Sequence, residues 1–178
     1  MEPRRKLLNH FLAALAYRTQ KALRDAPRDF GSFRAMDGVR TPAELVRHMT
    51  SVLGYARTNF VGGRYWPEPL ETLDEEIERF HEMLGMLAQH LRDGDALLEA
   101  MTEERLLQGP FSDAMTHAGQ LALLRRLAGA PVPPENFIVA EIKPDRLGKD
   151  QPKPVSPDKE WAEAPPGWKG PQKRTNEN

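Results

Sequence analysis

Apolar residues recur every three or four positions in four stretches of this chain, with polar residues between them. That spacing predicts amphipathic helices, because positions three and four apart lie on the same face of an α-helix. The predicted helices cover residues 4–25, 41–61, 72–94 and 112–129. The apolar stripe of the first helix consists of Leu7, Leu8, Phe11, Leu15 and Leu23.

Two of these helices begin at sequence signals for an N-terminal cap. Thr41 is followed by Pro42 and Glu44, and Thr72 is followed three residues later by Glu75. In such a capping box the threonine hydroxyl and the glutamate carboxylate each accept a hydrogen bond from a backbone N–H that the helix leaves without a partner. These signals predict where the second and third helices start.

The third helix has the most regular pattern, with apolar residues spaced 4-3-4-3-4 along it. Those positions are Leu73, Ile77, Phe80, Leu84, Leu87 and Leu91. This spacing is typical of a helix that packs along the seam of a bundle. Because no stretch has a convincing strand pattern, we expect an all-α fold, with a four-helix bundle over residues 4–130.

The composition changes after the fourth helix, and residues 131–178 hold ten of the sixteen prolines. We expect a Pro-rich, irregular C-terminal tail that is partly docked on the bundle, with its end, from about residue 170, disordered. The segment 135–142 is predicted to be extended, and two tryptophans offer a second anchor. The residues expected to be buried by docking are Phe137, Ile138, Ile142, Trp161 and Trp168.

Charge and composition restrict the possible functions. Lys and Arg number 25 and Asp and Glu 26, so the net charge of −1 gives no electrostatic reason to bind nucleic acid or an anionic membrane. No stretch approaches the ~18 apolar residues of a membrane span, and we expect a cytoplasmic protein. The chain has no cysteine. A metal site would therefore use His, Asp or Glu, and any thiol would come from a substrate or cofactor.

Two histidines lie on apolar helix faces, His48 in the second helix and His117 in the fourth. Asp113 precedes His117 by four residues, so the two side chains share a face and can chelate a cation together. His48, from a facing helix, is the natural third ligand, and three protein ligands leave coordination positions open. Gln120, one turn beyond His117, is a candidate to support that histidine from outside the ligand set.

Each of these residues also has a simpler explanation. A histidine on an apolar face, such as His48, is commonly a packed residue that bonds to the backbone. Asp113 follows Ser112, the predicted N-cap, where the helix dipole favours a carboxylate. The other histidines have no ligand-type residue four positions away and are predicted to be solvated or at the edges of the apolar stripes. They are His10, His81 and His90.

Two of the motifs resemble those of a known family. The segment TPAELVRHMTSVL, with His48 in its middle, is similar to the second helix of the DinB-like (DinB/YfiT-like) family of metal-binding four-helix proteins. FSDAMTHAGQLALLRRLAG is similar to the family's fourth helix, whose H-x-G-Q-L pattern matches residues 117–121. The resemblance covers residues 4–155 and extends to the tail of a longer subgroup.

The resemblance implies an up-down-down-up bundle with a divalent metal at one end, most often nickel or zinc, and it implies a homodimer. The family's usual ligands are three histidines, of which His48 and His117 match the first and the last. Asp113 stands at the middle position, where thiol-dependent relatives in the wider superfamily tolerate a carboxylate. A set of two histidines and one carboxylate also suits manganese or iron.

Three functional hypotheses follow. In the leading one the chain is a metal-dependent hydrolase or thiol transferase that acts on a small molecule, using water or a low-molecular-weight thiol activated by the metal. No residue stands out as its general base. In the second, the three side chains form a hydrogen-bonded trio without metal in a non-catalytic bundle that binds a small molecule. In the third, the Pro-rich tail engages a partner protein or a dimer mate.

Overall fold

The computed structural model describes residues 1–98, 100–154, 161, 162, 164, 166 and 167. Within these residues the chain is helical and has no β-strand, which confirms the predicted all-α class. The helices are α1 Pro3–Leu23, α2 Pro42–Val61, α3 Leu73–Asp93, the short α4 Glu103–Leu106 and α5 Ser112–Leu127. In the described part of the chain, no helix combines the length and apolar character that crossing a membrane requires.

Both predicted capping boxes are present. The Thr41 hydroxyl accepts a hydrogen bond from the Glu44 N–H at 3.3 Å, and the Glu44 carboxylate accepts one from the Thr41 N–H at 2.7 Å. Thr72 and Glu75 make the same pair of bonds at the start of α3. The backbone bonds lower the pKa of both glutamates. The carboxylates therefore stay ionised next to the positive ends of the helix dipoles.

The four long helices pack around one apolar core. α1 packs mainly on α3 and α5, and α2 packs on the same two helices. Leu7 was predicted to lie on the buried stripe of α1, but it is 64% exposed. The stripe instead follows Leu8, Leu12 and Leu15, which lie four and three residues apart and share one helix face. Fully burying a side chain of this size contributes about 1.5–3 kcal/mol.

The connection into α5 differs from the predicted N-cap at Ser112. Leu107–Phe111 form a π-helical turn that leads straight into α5, and Ser112 itself has helical backbone angles. Gly109 departs from helical geometry in this turn, and Pro110 has no N–H to donate. The Ser112 hydroxyl donates to the Leu107 carbonyl at 2.6 Å instead of capping a helix N–H. Short π-helical turns of this kind are frequent at functional sites.

The tail follows the outside of the bundle and is held through its backbone carbonyls. The Asn9 side-chain amide donates to the Pro144 carbonyl at 3.1 Å, and the Arg24 guanidinium donates to the Gln151 carbonyl at 2.6 Å. Leu147 lies between these two points and is buried against the core. Polar side chains of α1 therefore fix the course of a segment that has little regular structure of its own.

Two predictions for the tail were wrong. Phe137–Val139 form a 3₁₀ turn instead of an extended segment, and Ile138, which was expected to be buried, is 93% exposed. Phe137 is the residue that docks, because the guanidinium of Arg18 lies 4.1 Å from the centre of its ring. The tight turn then directs the next side chain to solvent. Trp168 and the segment from residue 170 lie outside the described residues.

His81 was predicted to be solvated or at the edge of an apolar stripe, but it is buried beneath the tail. Its Nδ1 donates to the Leu147 carbonyl at 2.6 Å, and its Nε2 lies 3.2 Å from the side-chain oxygen of Gln20. Burial lowers the pKa of His81 to about 4 and outweighs the bond to Leu147, which raises it. Lys149 lowers this pKa further and Glu78 raises it. The ring is therefore neutral at neutral pH.

The loop between α2 and α3 is anchored on α2 at a glycine. The ring of Tyr65 lies directly against Gly54, where any Cβ atom would overlap it. Two glycines with positive φ, Gly62 at 77° and Gly63 at 81°, turn the chain back after the end of α2. Because Gly54 has no side chain, the Tyr65 ring can pack directly on α2, and this contact fixes the position of the loop around Tyr65.

Replacing this glycine tests the anchor. In a helix interior Gly→Ala normally stabilises by about 0.5–1 kcal/mol. We expect Gly54→Ala to lower the free energy of unfolding by about 1–3 kcal/mol instead, because Tyr65 must leave its place. Gly85→Ala in α3 is the matched control, since no atom lies within 4 Å of the added Cβ. It should raise the free energy of unfolding. Urea denaturation followed by circular dichroism measures both, and a stabilised Gly54→Ala would contradict the anchor.

The buried His81 makes stability depend on pH. The pKa falls from 6.5 in the unfolded chain to about 4 in the folded one, so the unfolded state binds an extra proton between these values. The free energy of unfolding should therefore drop as the pH falls from about 6.5 to about 4, by up to about 1.4 kcal/mol per pH unit from this residue. His81→Gln should have a shallower slope in this range. His10→Gln, at an exposed site, should keep the wild-type slope, and equal slopes in all three proteins would contradict the assignment.

Candidate metal centre

α2 and α5 pack side by side and bring the two predicted histidines into contact. The ring centres of His48 and His117 are 4.8 Å apart, and the planes meet at 72°. The two residues are far apart in the chain, so the approach depends on how the two helices are placed against each other. His48 lies in the second turn of α2, on the same side as the buried Leu45 and Met49.

Asp113 completes the group from one turn earlier in α5. Its Oδ1 lies 3.3 Å from the Nε2 of His117. One ligand atom from each of His48, Asp113 and His117 lies within 4.8 Å of the others. In the part of the chain that the structure describes, no other group of three histidine or carboxylate side chains converges in this way. The structure therefore brings together all three residues that the sequence nominated.

Gln120 lies on the other side of the His117 ring. The Nδ1–H of His117 donates to the Gln120 side-chain oxygen at 2.7 Å. This bond places the proton on Nδ1 and leaves a lone pair on Nε2, the atom that faces Asp113. Metal-binding histidines commonly have such a bond on the nitrogen that does not bind the metal. Gln120 thus fixes the tautomer and the orientation that a ligand requires.

The three side chains differ in their contact with solvent. His117 is buried, His48 is half-buried, and the side chain of Asp113 is 50% exposed. Burial lowers the pKa of His48, the positive charge of Arg40 and the neighbouring His117 ring lower it further, and Asp113 opposes the shift. His48 is therefore neutral at neutral pH, which is the form that binds a cation.

The donor atoms suit a divalent metal. Metal–ligand bonds of about 2.1 Å place two tetrahedral donors roughly 3.4 Å apart, and the Asp113–His117 separation of 3.3 Å matches this value. The three donor atoms lie within 4.8 Å of one another, so side-chain movements of up to about 1.4 Å would bring all three around one cation. Two imidazole nitrogens and one carboxylate oxygen are donors that zinc, nickel, manganese and iron all accept. Three protein ligands also leave at least one position for water or a substrate, as in catalytic zinc sites.

Two clefts meet at the candidate site. The first, of about 630 Å³, we call the aromatic cleft. It is lined by His48 and Asp113 and by Val52, Tyr55, Tyr65, Trp66 and Pro110. The second, of about 400 Å³, we call the arginine cleft, and it is lined by His48 and by Arg34, Arg40, Glu44, Arg47 and Trp66. A small molecule can therefore reach His48 from either cleft and Asp113 from the aromatic cleft.

Several of these lining residues were not found from the sequence. Gly109 and Pro110 belong to the π-helical turn, which carries no periodic signal, although the Gly-Pro pair marks a break in the helix. Trp66 is 82% exposed and lies in the loop that Tyr65 anchors on α2. A large aromatic residue in a loop was a possible signal for a binding surface. Its position beside the site depends on the fold.

Comparison of the chain with protein-family models, with curated proteins and with solved structures found no match in any of the three. The DinB-like resemblance therefore remains a prediction. The candidate metal centre rests on its own geometry and on the chemistry of its donors.

The bond from His117 to Gln120 has a measurable consequence. Gln120→Leu removes the acceptor on Nδ1, so we expect the affinity for Zn²⁺ to fall about 10- to 100-fold. Competition with a chromophoric chelator measures this affinity. Gln89→Leu, on the exposed face of α3, is the matched control and should bind as the wild type does. Equal affinities in the three proteins would show that Gln120 does not support the site.

Proposed function

We propose that this chain is a metal-dependent enzyme of the DinB-like kind, a hydrolase or thiol transferase that acts on a small molecule. The observation that carries the proposal is the convergence of His48, Asp113 and His117 from two helices at the meeting point of two clefts. A structural metal site is normally closed by a fourth protein ligand. Here His48 opens onto both clefts and Asp113 onto the aromatic cleft.

The directions of the helices support the proposed up-down-down-up arrangement. Near the start of α2 and α3, Arg47 lies 3.9 Å from the Glu76 carboxylate, and near their ends the rings of Phe60 and His90 stack at 5.1 Å. These contacts favour a parallel course for α2 and α3. A crossover of 11 residues, Gly62 to Thr72, connects them.

Contacts between α1 and α5 favour a second parallel pair. The ring of Phe11 stacks on Phe111 at 6.3 Å, just before α5 begins. At the other end, Arg125 of α5 donates to the Ala22 carbonyl of α1 at 3.0 Å. The beginning of α1 lies against the residues that follow α3, so the two parallel pairs are expected to run in opposite directions.

In the proposed mechanism, His48, Asp113 and His117 would hold a divalent metal, nickel or zinc by resemblance, which would supply a water or thiol nucleophile of lowered pKa. His117 presents Nε2 in a fixed orientation because Gln120 holds its Nδ1–H. His48 contributes a neutral imidazole from α2. Asp113 contributes a negative charge that reduces the net charge of the cation, and its exposure leaves room for a substrate on that side.

The residue that moves protons is not assigned. Among the described residues, the aromatic cleft contains no histidine or carboxylate besides His48 and Asp113. Tyr55 and Tyr65 line that cleft, and burial raises the pKa of Tyr65 above its usual range, so Tyr65 is a poor base. The nucleophile would then lose its proton to solvent or to the substrate itself.

One observation favours the metal-free alternative. The Asp113 carboxylate lies 3.3 Å from the His117 Nε2, so the pair can also form a simple ion pair when the imidazole is protonated. A non-catalytic bundle that binds a small molecule would use the same clefts. From the resemblance we also propose a homodimer, and from the sequence a cytoplasmic location. The tail, which is docked on the bundle, would contribute to a dimer or partner interface.

Elemental analysis of protein purified without a histidine tag decides between the two functions. We expect near-stoichiometric nickel, zinc, manganese or iron, and a loss of at least tenfold in His48→Ala and in Asp113→Asn, because two remaining ligands bind weakly. His10→Ala is the control and should keep its metal. Circular dichroism checks that every variant remains helical.

Two outcomes would refute the metal site. One is full metal content in His48→Ala. The other is a folded wild-type protein that takes up no metal after incubation with divalent ions and dialysis. Either result favours the non-catalytic bundle.

A further inference from the structure

The arginine cleft concentrates positive charge beside the candidate metal centre. Arg34, Arg40 and Arg47 line it, and Glu44 is the one carboxylate in its described lining. His48 forms part of the wall, so the cleft leads directly to one of the three donor side chains. The chain as a whole has nearly equal numbers of positive and negative side chains. The excess of positive charge in the cleft is therefore local and does not reflect the overall composition.

Two of the guanidinium groups differ in how closely a carboxylate pairs with them. Arg34 donates to both oxygens of Glu44 at 3.2 and 3.3 Å, so its charge is neutralised. Arg47 lies 3.9 Å from Glu76, too far for a hydrogen bond. Glu76 already accepts bonds from Arg79 and from the Leu70 N–H. Arg47 therefore keeps most of its hydrogen-bonding capacity for another acceptor.

Arg40 has no carboxylate within ion-pair distance among the described residues. It is exposed, and it lies close enough to His48 for its charge to act on that imidazole. Arg40 therefore keeps its full positive charge, and Arg47 shares the single Glu76 carboxylate with Arg79, which leaves a net positive charge on that group as well. A guanidinium binds carboxylate and phosphate oxygens through paired, charge-assisted hydrogen bonds.

The two clefts share three residues, His48, Ser51 and Trp66. The two clefts therefore adjoin beside His48, and we call the two together the groove. The arginine cleft forms one end of the groove, and the other end is mostly apolar, with Arg64 as its one cationic side chain among the described lining residues. Tyr55 and Trp66 are 56% and 82% exposed there, so the groove presents aromatic surface to a bound molecule.

We propose that the substrate of this site is an organic anion. Its anionic head lies against Arg40 and Arg47. Its apolar or aromatic arm lies against Trp66 and Tyr55. Its reactive centre lies beside His48, between these two ends. This inference rests on the proposed function, because it names the substrate class of the same site. It requires only that the two ends of the groove recognise the two ends of one molecule.

Phenylacetate and phenylacetamide test the inference, because they have nearly the same shape and differ in charge. Titration calorimetry of the full chain in the presence of a chelator measures both affinities without any metal. We expect phenylacetate to bind about tenfold more tightly, as charge-assisted bonds to guanidinium groups require, and the difference to shrink at high salt. Arg40→Gln/Arg47→Gln should abolish the difference and leave the affinity for phenylacetamide unchanged.

Arg4→Gln/Arg28→Gln is the control, since it removes the same charge at exposed positions that line neither cleft. Arg40→Gln alone, at an exposed site, keeps the test valid if the double variant fails to fold. Equal binding of the two compounds, no binding of phenylacetate, or a preference that survives in Arg40→Gln/Arg47→Gln would overturn the inference. A preference for phenylacetate in a protein that never takes up metal would refute the proposed enzyme and leave the anion site standing.

Discussion

The packing of α2 against α5 is the constraint on which the candidate site depends. Asp113 and His117 are placed by the pitch of a single helix, but His48 reaches them only if α2 has the right register. A displacement of one helical turn is about 5.4 Å, which exceeds the 4.8 Å within which the three donor atoms lie. The capping box at Thr41 fixes the start of α2, and Gly54 fixes the loop that follows it. Both ends of the helix are therefore defined independently of the site.

Local features of the fold were predictable because their causes are local. The capping boxes at Thr41 and Thr72 need only residues within one turn, and α2 and α3 begin where these signals stand. The π-helical turn before α5 was not predicted, because its geometry follows from the way Gly109 and Pro110 join a short helix to a long one. His81 was mispredicted because the carbonyl that accepts its hydrogen bond is 66 residues away in the tail.

In the candidate site, too, features with a local cause were predictable and features that depend on distant parts of the chain were not. The spacing of Asp113, His117 and Gln120 follows from helix periodicity, so the sequence alone could nominate them. The choice of His48 needed the added assumption that its helix faces α5, and the fold meets that assumption. Arg40 and Trp66 lie in loops, where no periodicity applies, and their proximity to His48 arises from the turn at Gly62 and from the course of the chain before α2.

A carboxylate among the ligands changes what the site can attract. A divalent cation bound by two neutral imidazoles and one carboxylate keeps a single net positive charge, where three imidazoles would leave two. That weaker charge alone would favour anionic substrates less strongly. Arg40 and Arg47 line the adjoining cleft, where they would restore the positive potential without binding the metal. In the proposed site, the charge that stabilises the metal and the charge that selects the substrate would be carried by different residues, so each could vary without loss of the other.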